Sequence, residues 1–204
     1  MRVIAGSARG RPLDAPRGRA VRPTSDRVRE ALFSALSDDV PGAAVLDLFA
    51  GSGALAIEAL SRGADLAVLI ESDPTALNTI RANLKRAGVA DRAKVIRADA
   101  LAWTPAWTTD LTADRPRRPD AGTPTPFDVV LVDPPYALPL PRVLKALERL
   151  AEAGVLVPGA RVVVERDRRD PDLDRPLPGP RLLLDRDRTY GDTVLRWLRV
   201  QEEA

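Results

Sequence analysis

The sequence predicts an α/β protein built on a mostly parallel sheet that finishes in an antiparallel pair, and three observations carry that reading. Short apolar runs rich in β-branched residues alternate with stretches of helical periodicity over residues 45–165, the pattern of a sheet covered on both faces. The first run leads into Gly51-Ser52-Gly53, a glycine turn that opens a helix. The rhythm then changes near the end, where Leu182–Leu184 and Val194–Val200 flank a Tyr190-Gly191-Asp192 turn, as in an antiparallel pair.

Thr24-Ser25-Asp26 offers an N-cap, and Val28, Leu32, Ala35 and Leu36 recur at helical spacing, which predicts a helix near 26–36. Val45–Phe49 reads as a short buried strand, followed by a helix through Leu55, Ile57 and Leu60 that stops at Gly63. Ala67–Ile70 is the second strand and ends at Glu71. Asp73-Pro74 caps and starts a helix carrying Leu77, Ile80 and Leu84, with Gly88 at its end. Lys94–Arg97 and Phe127–Val132 are the third and fourth strands, running into Asp99 and Asp133. A helix around Val143–Leu150 and a strand at Arg161–Glu165 continue the alternation. Thr104–Pro126 and Arg168–Pro180, rich in Pro, Asp, Thr or Arg, read as solvated loops.

At 204 residues the chain suits one principal domain. It has no Cys and no membrane-length apolar run, which fits a reducing cytoplasm and predicts no membrane association. The absence of both His and Cys removes the usual transition-metal ligands, so no metal is expected, and it excludes Ser–His and Cys–His nucleophilic chemistry. Nothing in the sequence signals an obligate dimer, and a monomer is expected. The net charge of +2 hides an asymmetry: residues 1–29 hold eight Arg against Asp14 and Asp26, while the remainder holds 23 basic and 27 acidic residues. This predicts a basic amino-terminal arm, residues 1–25, on a body of residues 26–204, with a polyanion as partner. The competing reading is compositional, because the chain uses Arg almost everywhere and has only Lys85, Lys94 and Lys145.

Asp47-Leu48-Phe49-Ala50-Gly51-Ser52-Gly53 lies where open α/β sheets hold their ligands, at the carboxyl end of a strand. Glycine there lets backbone approach a ligand closely, and Glu71, with Ser72 beside it, sits twenty residues past Gly51, placed to accept both hydroxyls of a ribose. That constellation alone would serve a nicotinamide dinucleotide equally well. Asp47 favours S-adenosylmethionine instead, since a carboxylate before the turn repels a pyrophosphate but can receive an ammonium group. Asp99 and Ala100, after the third strand, are placed to meet an adenine. Plainer readings are an ordinary tight turn at Gly51 and Gly53, and a helix cap at Asp99.

Asp133-Pro134-Pro135-Tyr136 is the most specific signal in the chain. An exocyclic amine is a poor nucleophile because its lone pair is delocalised into the ring. Acceptors on its hydrogens, the Asp133 carboxylate and the Pro134 carbonyl, can hold the nitrogen with that lone pair aimed at a sulfonium methyl. Pro134 and Pro135 stiffen the backbone and remove two N–H donors, and Tyr136 supplies a face for an extruded base. The tetrapeptide does not by itself distinguish guanine from adenine or cytosine.

These residues resemble the RsmD family, methyltransferases of the N2 amine of one guanine, position 966, in 16S ribosomal RNA. The likeness runs from Arg2-Val3-Ile4-Ala5-Gly6 and Arg9-Gly10-Arg11 through Arg22-Pro23-Thr24-Ser25-Asp26-Arg27-Val28-Arg29-Glu30, Leu48–Leu55, Glu58–Gly63 and the tetrapeptide to Tyr190-Gly191-Asp192-Thr193. It implies a class I, Rossmann-like seven-stranded sheet with an antiparallel C-terminal edge. It also implies S-adenosylmethionine as donor, and a substrate RNA inside an assembling or assembled 30S particle. By the same resemblance Arg9, Arg11, Arg22, Thr24, Arg27 and Arg29 become RNA contacts, against the plainer alternative of an Arg27–Glu30 pair on one helix face. The rivals are a DNA adenine-N6 methyltransferase, for which no separate recognition region is visible; a nicotinamide oxidoreductase, which explains neither Asp47 nor the tetrapeptide; and a non-catalytic ribosome-assembly factor that keeps the fold.

Overall fold

Apolar β-branched runs become parallel strands when both faces of the sheet can be covered, and five of them do so here: β1 (Ala44–Leu48), β2 (Leu66–Glu71), β3 (Ala93–Arg97), β4 (Phe127–Val132) and β5 (Leu156–Asp167). With β6 (Leu182–Tyr190) and β7 (Thr193–Val200) they form one sheet in the order β3-β2-β1-β4-β5-β7-β6. The computed structural model describes residues 1–16, 26–104 and 126–201. Among these no helix is long and apolar enough to cross a membrane.

The strand order steps outward from β1 to β3 and then resumes on the other side of β1 with β4. That reversal opens a crevice at the carboxyl ends of β1 and β4. Leu48 pairs with both Ile70 and Val132, so the segments leaving β1, β2 and β4 start side by side, about 4.8 Å apart.

Alternate strand residues divide between two cores. Val45, Leu69, Val129 and Leu131 pack against α1 (Asp26–Ala35), α2 (Ala54–Ser61) and α3 (Pro74–Ala87), through Leu32, Phe33, Ile57, Leu60 and Ile80. Leu46, Leu48, Ile70, Val130 and Val132 pack on the other face against Leu144 and Leu147 of α4 (Leu140–Glu152). Each such aliphatic side chain, once buried, contributes roughly 1.5–3 kcal/mol. The ends of α3 follow their sequence signals: the Asp73 carboxylate accepts from Thr75 N and Ala76 N, and Gly88 closes the helix in the left-handed conformation.

The described part of the amino-terminal segment, residues 1–16, is packed on the body. Residues 1–14 form a hairpin-like strap on α2 and α3, with Arg2 bridged to Pro12 and Val3, Ala8 and Leu13 buried in the first core. Ile4 N and Ala5 N donate to the Glu58 carboxylate, Ala8 N to Ser61 Oγ, and Asp14 N to Asn83 Oδ1. The apolar residues at 3, 8 and 13 anchor this arginine-rich segment to the body.

Three differences have physical causes. β5 begins five residues before the expected Arg161, because its Pro158-Gly159 reads as a break but is accommodated as an irregularity opposite Phe127 and Val129. β6 extends to Tyr190 through Asp185-Arg186-Asp187-Arg188, a charged run that suits an edge strand exposed on both faces. The antiparallel pair itself forms the expected edge of the sheet, with β7 between β5 and β6. The segment expected as a solvated loop at 168–180 packs Leu173 and Leu177 against the second core. Of the other expected loop, residues 105–125 lie outside the described residues.

Candidate active site

The glycine turn is shaped by its backbone before any ligand arrives. Phe49 has φ 65°, the only non-glycine residue with positive φ among those described, and Gly51 and Gly53 follow at 57° and 77°. A left-handed conformation at a bulky residue is costly and concentrates at functional sites. A Cβ at Gly51 would meet nothing closer than Phe49 O at 3.8 Å, so the space in front of this residue is open. A Cβ at Gly53 would instead press on Leu69 and Ile80 at 3.3–3.4 Å. Gly51 leaves room in front of the turn; Gly53 lets α2 settle on the core.

Each predicted carboxylate of the donor pocket already has work within the fold. Glu71 Oε2 accepts from Gly51 N at 2.9 Å, and Oε1 accepts from Ser72 N and Asp73 N, both at 2.8 Å, which ties the tip of β2 to the glycine turn. Asp47 is buried on the α2 side of β1 and accepts from Ala56 N at 3.1 Å, serving a helix whose own N-cap, Gly53, offers no side chain. Burial pushes the Asp47 carboxyl up to about 8 against the pull of that N–H, and the neighbouring charges of Asp133 and Glu71 push the same way. The three carboxylates therefore share one electrostatic environment at the tips of β2, β1 and β4. A cationic ligand would relieve it.

Asp99 is exposed and accepts from Leu101 N at 3.0 Å, the cap-like role weighed against adenine binding; exposure leaves the rest of the carboxylate accessible. Ala100 is buried in the second core beside it, and Ser72 is exposed next to Glu71. Ala50 N donates to Ile70 O and Gly53 N to Ala50 O, which locks the turn to β2.

Asp133 follows Val132 directly, half-buried, at the tip neighbouring that of Leu48. Pro134 is buried, whereas Pro135 and Tyr136 are exposed, with Tyr136 keeping 47% of its surface accessible. The structure thus brings Asp47, Gly51, Glu71 and Asp133–Tyr136 to the adjoining carboxyl ends of β1, β2 and β4.

The expected RNA contacts are scattered. Arg29 is fully buried, which corrects its assignment as a phosphate contact: it donates to Arg2 O and to Asp26 Oδ1 at 3.1 Å, with Glu58 Oε2 3.9 Å from Nε. The i, i+3 pair on α1 is therefore Asp26–Arg29, and Arg27 is exposed. Arg9 and Arg11 are exposed, but the strap turn at Gly6 docks beside Ser61, at the end of α2 away from the donor turn, about 12 Å down an eight-residue helix. Arg22 and Thr24 lie outside the described residues.

Sequence reasoning missed three polar residues that hold the site. Asn83, fully buried on α3, donates from Nδ2 to Ser52 O and Asp14 O, both at 2.9 Å, and so links glycine turn and strap. Its signal was an amide on the Leu77-Ile80-Leu84 face. Glu58 was visible as the one charge in the apolar helix α2. Arg166, buried at the end of β5, donates to Tyr136 O and has no distinguishing spacing.

Comparison with known proteins agrees with this architecture. The family model described as Conserved hypothetical protein 95 matches residues 1–199. YlbH of Bacillus subtilis is 37% identical over 194 residues, covering 95% of both chains. The ribosomal RNA small subunit methyltransferase D of Haemophilus influenzae is 35% identical over 181 residues, 88% of this chain and 83% of that one. Among solved structures, yhhF of Escherichia coli superposes with TM-score 0.75 at 32% identity, over 100% of this chain and 99% of the other. An RNA methyltransferase of Salinibacter ruber, solved with S-adenosyl-L-homocysteine, shares the fold at TM-score 0.59 and 24% identity, covering 89% and 95%. Similarity sustained over nearly the full length, on a sheet that carries both expected turns at adjoining strand tips, means that the chain belongs to the RsmD family.

Proposed function

We propose that the protein transfers a methyl group from S-adenosylmethionine to the exocyclic N2 amine of one guanine in small-subunit ribosomal RNA, the nucleotide being position 966 by resemblance. The observation that carries this reading is the adjacency of the glycine turn after Leu48 and the Asp-Pro-Pro-Tyr turn after Val132, on strands paired at those two residues. The open space at Gly51 and the acidic surroundings of Asp47, Glu71 and Asp133 fit a donor that is cationic and carries a ribose.

S-adenosylmethionine supplies an electrophilic methyl on a sulfonium; the chain's residues supply position. The Asp133 carboxylate and the Pro134 carbonyl accept the two amine hydrogens and turn the nitrogen lone pair toward the donor. The Asp133 carboxylate would stabilise the positive charge that the amine nitrogen gains on accepting the methyl. The methylated amine would then pass one proton to the Asp133 carboxylate and from there to water. The exposed ring of Tyr136 provides the face on which an unstacked guanine rests.

The test uses donor labelled in its methyl group. Label should enter small-subunit RNA, offered as naked RNA, an assembly intermediate or the finished 30S particle, and mass spectrometry of the digested RNA should place it on a guanine N2. Asp133→Ala should abolish transfer with donor affinity within about threefold of wild type. Label entering duplex DNA, or transfer by the variant at wild-type rate, would overturn the assignment.

A further inference from the structure

We propose that Arg166 is a positioning residue for the Asp133–Tyr136 turn: its guanidinium, clamped by Asp170, fixes the Tyr136 carbonyl and thereby the ring against which the target base lies. The inference rests on the methyltransferase reading given above and extends it to a residue outside both sequence motifs.

Two of the four residues of the turn can offer no backbone donor. Pro134 and Pro135 carry no N–H, and the backbone bond within the segment runs from Leu138 N to Pro135 O at 2.9 Å. Arg166 Nη2 donates to the Tyr136 carbonyl oxygen at 3.3 Å and so ties the turn to the neighbouring strand. Arg166 belongs to β5, the neighbour of β4, two residues beyond the Val132–Val164 pair. The distance is at the long end for such a bond.

Arg166 is only 2% exposed. Burying a guanidinium costs several kcal/mol unless it is paired, and a well-packed apolar residue commonly serves stability as well or better. The ion pair to the buried side chain of Asp170 compensates the charge through Nε, while Nη1 has no hydrogen-bond partner among the described residues. An arrangement that spends a charge pair and leaves one nitrogen unsatisfied is poorly explained as mere support. A planar fork does offer something no aliphatic side chain can: two donors at fixed separation, one held by Asp170 and one aimed at Tyr136 O. Asp170 N donates in turn to Asp167 O, so the clamp is anchored at the end of the same strand.

The experiment compares wild type with Arg166→Met, Arg166→Lys and Asp170→Asn in the methyl-transfer assay, with donor dissociation constant and Tm measured on each. Arg166→Met removes the fork and keeps bulk; Arg166→Lys keeps the charge as a single point. Both should lower kcat about 10- to 100-fold, the scale on which small misplacement of reacting groups acts, with donor affinity and RNA KM within about threefold of wild type. Asp170→Asn should lower kcat at least threefold with the same split, and it decides the matter if the Arg166 variants do not fold. Unchanged kcat in a folded Arg166→Met or in Asp170→Asn overturns the proposal, as does a fall in kcat matched by equal losses of donor affinity and Tm. Wild type that transfers no methyl to RNA overturns the functional reading itself, whereas active wild type beside an equally active Arg166→Met overturns this inference alone.

Discussion

At the residue scale, the donor turn places groups where the fold alone would not choose them, and two substitutions expose the conflict. Asp47 is buried with its carboxyl raised to about 8, while in the unfolded chain it titrates near the ordinary aspartate value of 3.8. Between those values the unfolded state has lost the proton that the native state keeps, so stability from this residue falls as pH rises from about 4 to about 8 and levels off above. Asp47→Asn retains an oxygen to accept from Ala56 N and carries no charge, so it should be more stable than wild type at pH 8.5 and close to it at pH 4.5, by urea unfolding at both. It should also bind donor at least tenfold more weakly at pH 8.5. Gly51→Ala separates the same two demands differently. Its left-handed φ costs an alanine roughly 1–2 kcal/mol, yet the added Cβ has room in the protein. Loss of donor binding well beyond that modest loss of stability, read by calorimetry beside denaturant unfolding, is the expected outcome, because the methyl occupies space left for ligand.

At the element scale, α3 and β6 mark the limits of what could be read from the chain. The bounds of α3 were legible because Asp73, Pro74 and Gly88 act locally, through a side-chain cap and a left-handed residue that need no tertiary partner. Asp73→Ala should accordingly cost about 1 kcal/mol in urea unfolding. β4 was legible for another reason: six apolar-rich residues bounded by an Asp-Pro-Pro turn admit no other element. β6 was not, since Asp185–Arg188 becomes strand only by pairing with β7, with a bulge between Leu184 and Arg186 that lets the Asp185 carboxylate reach Arg161 at 2.9 Å. The Asp-Pro-Pro-Tyr and glycine turns were legible as local patterns at strand ends. Asn83, Glu58 and Arg166 were not, because their function consists of contacts made 31, 54 and 30 residues away.

At the scale of the whole molecule, the amino-terminal arginines belong to two populations with different tasks. Arg29 lies inside, its pKa lowered by burial and held up by Glu58 and Asp26, and Glu58 in turn takes Ile4 N at 2.8 Å, Ala5 N at 3.0 Å and Arg62 Nε at 2.8 Å. The strap therefore completes the solvation of a buried carboxylate on α2, the helix that starts at the donor turn. Arg9 and Arg11 lie outside, on the same strap, with their side chains exposed. Charge and structure can be separated because they reside in different residues of one segment. Deleting residues 1–14 should destabilise the protein by more than about 3 kcal/mol, since it strips two backbone donors from a buried charge and uncovers Val3, Ala8 and Leu13. The double variant Arg9→Gln, Arg11→Gln should instead leave Tm within about 2 °C and act on RNA binding alone. If both residues meet phosphate, the slope of log K against log salt should become shallower by about 0.7–0.9 per contact, measured by filter binding across salt concentrations. An unchanged slope would confine the strap to its structural task and assign the electrostatic attraction of RNA to other arginines.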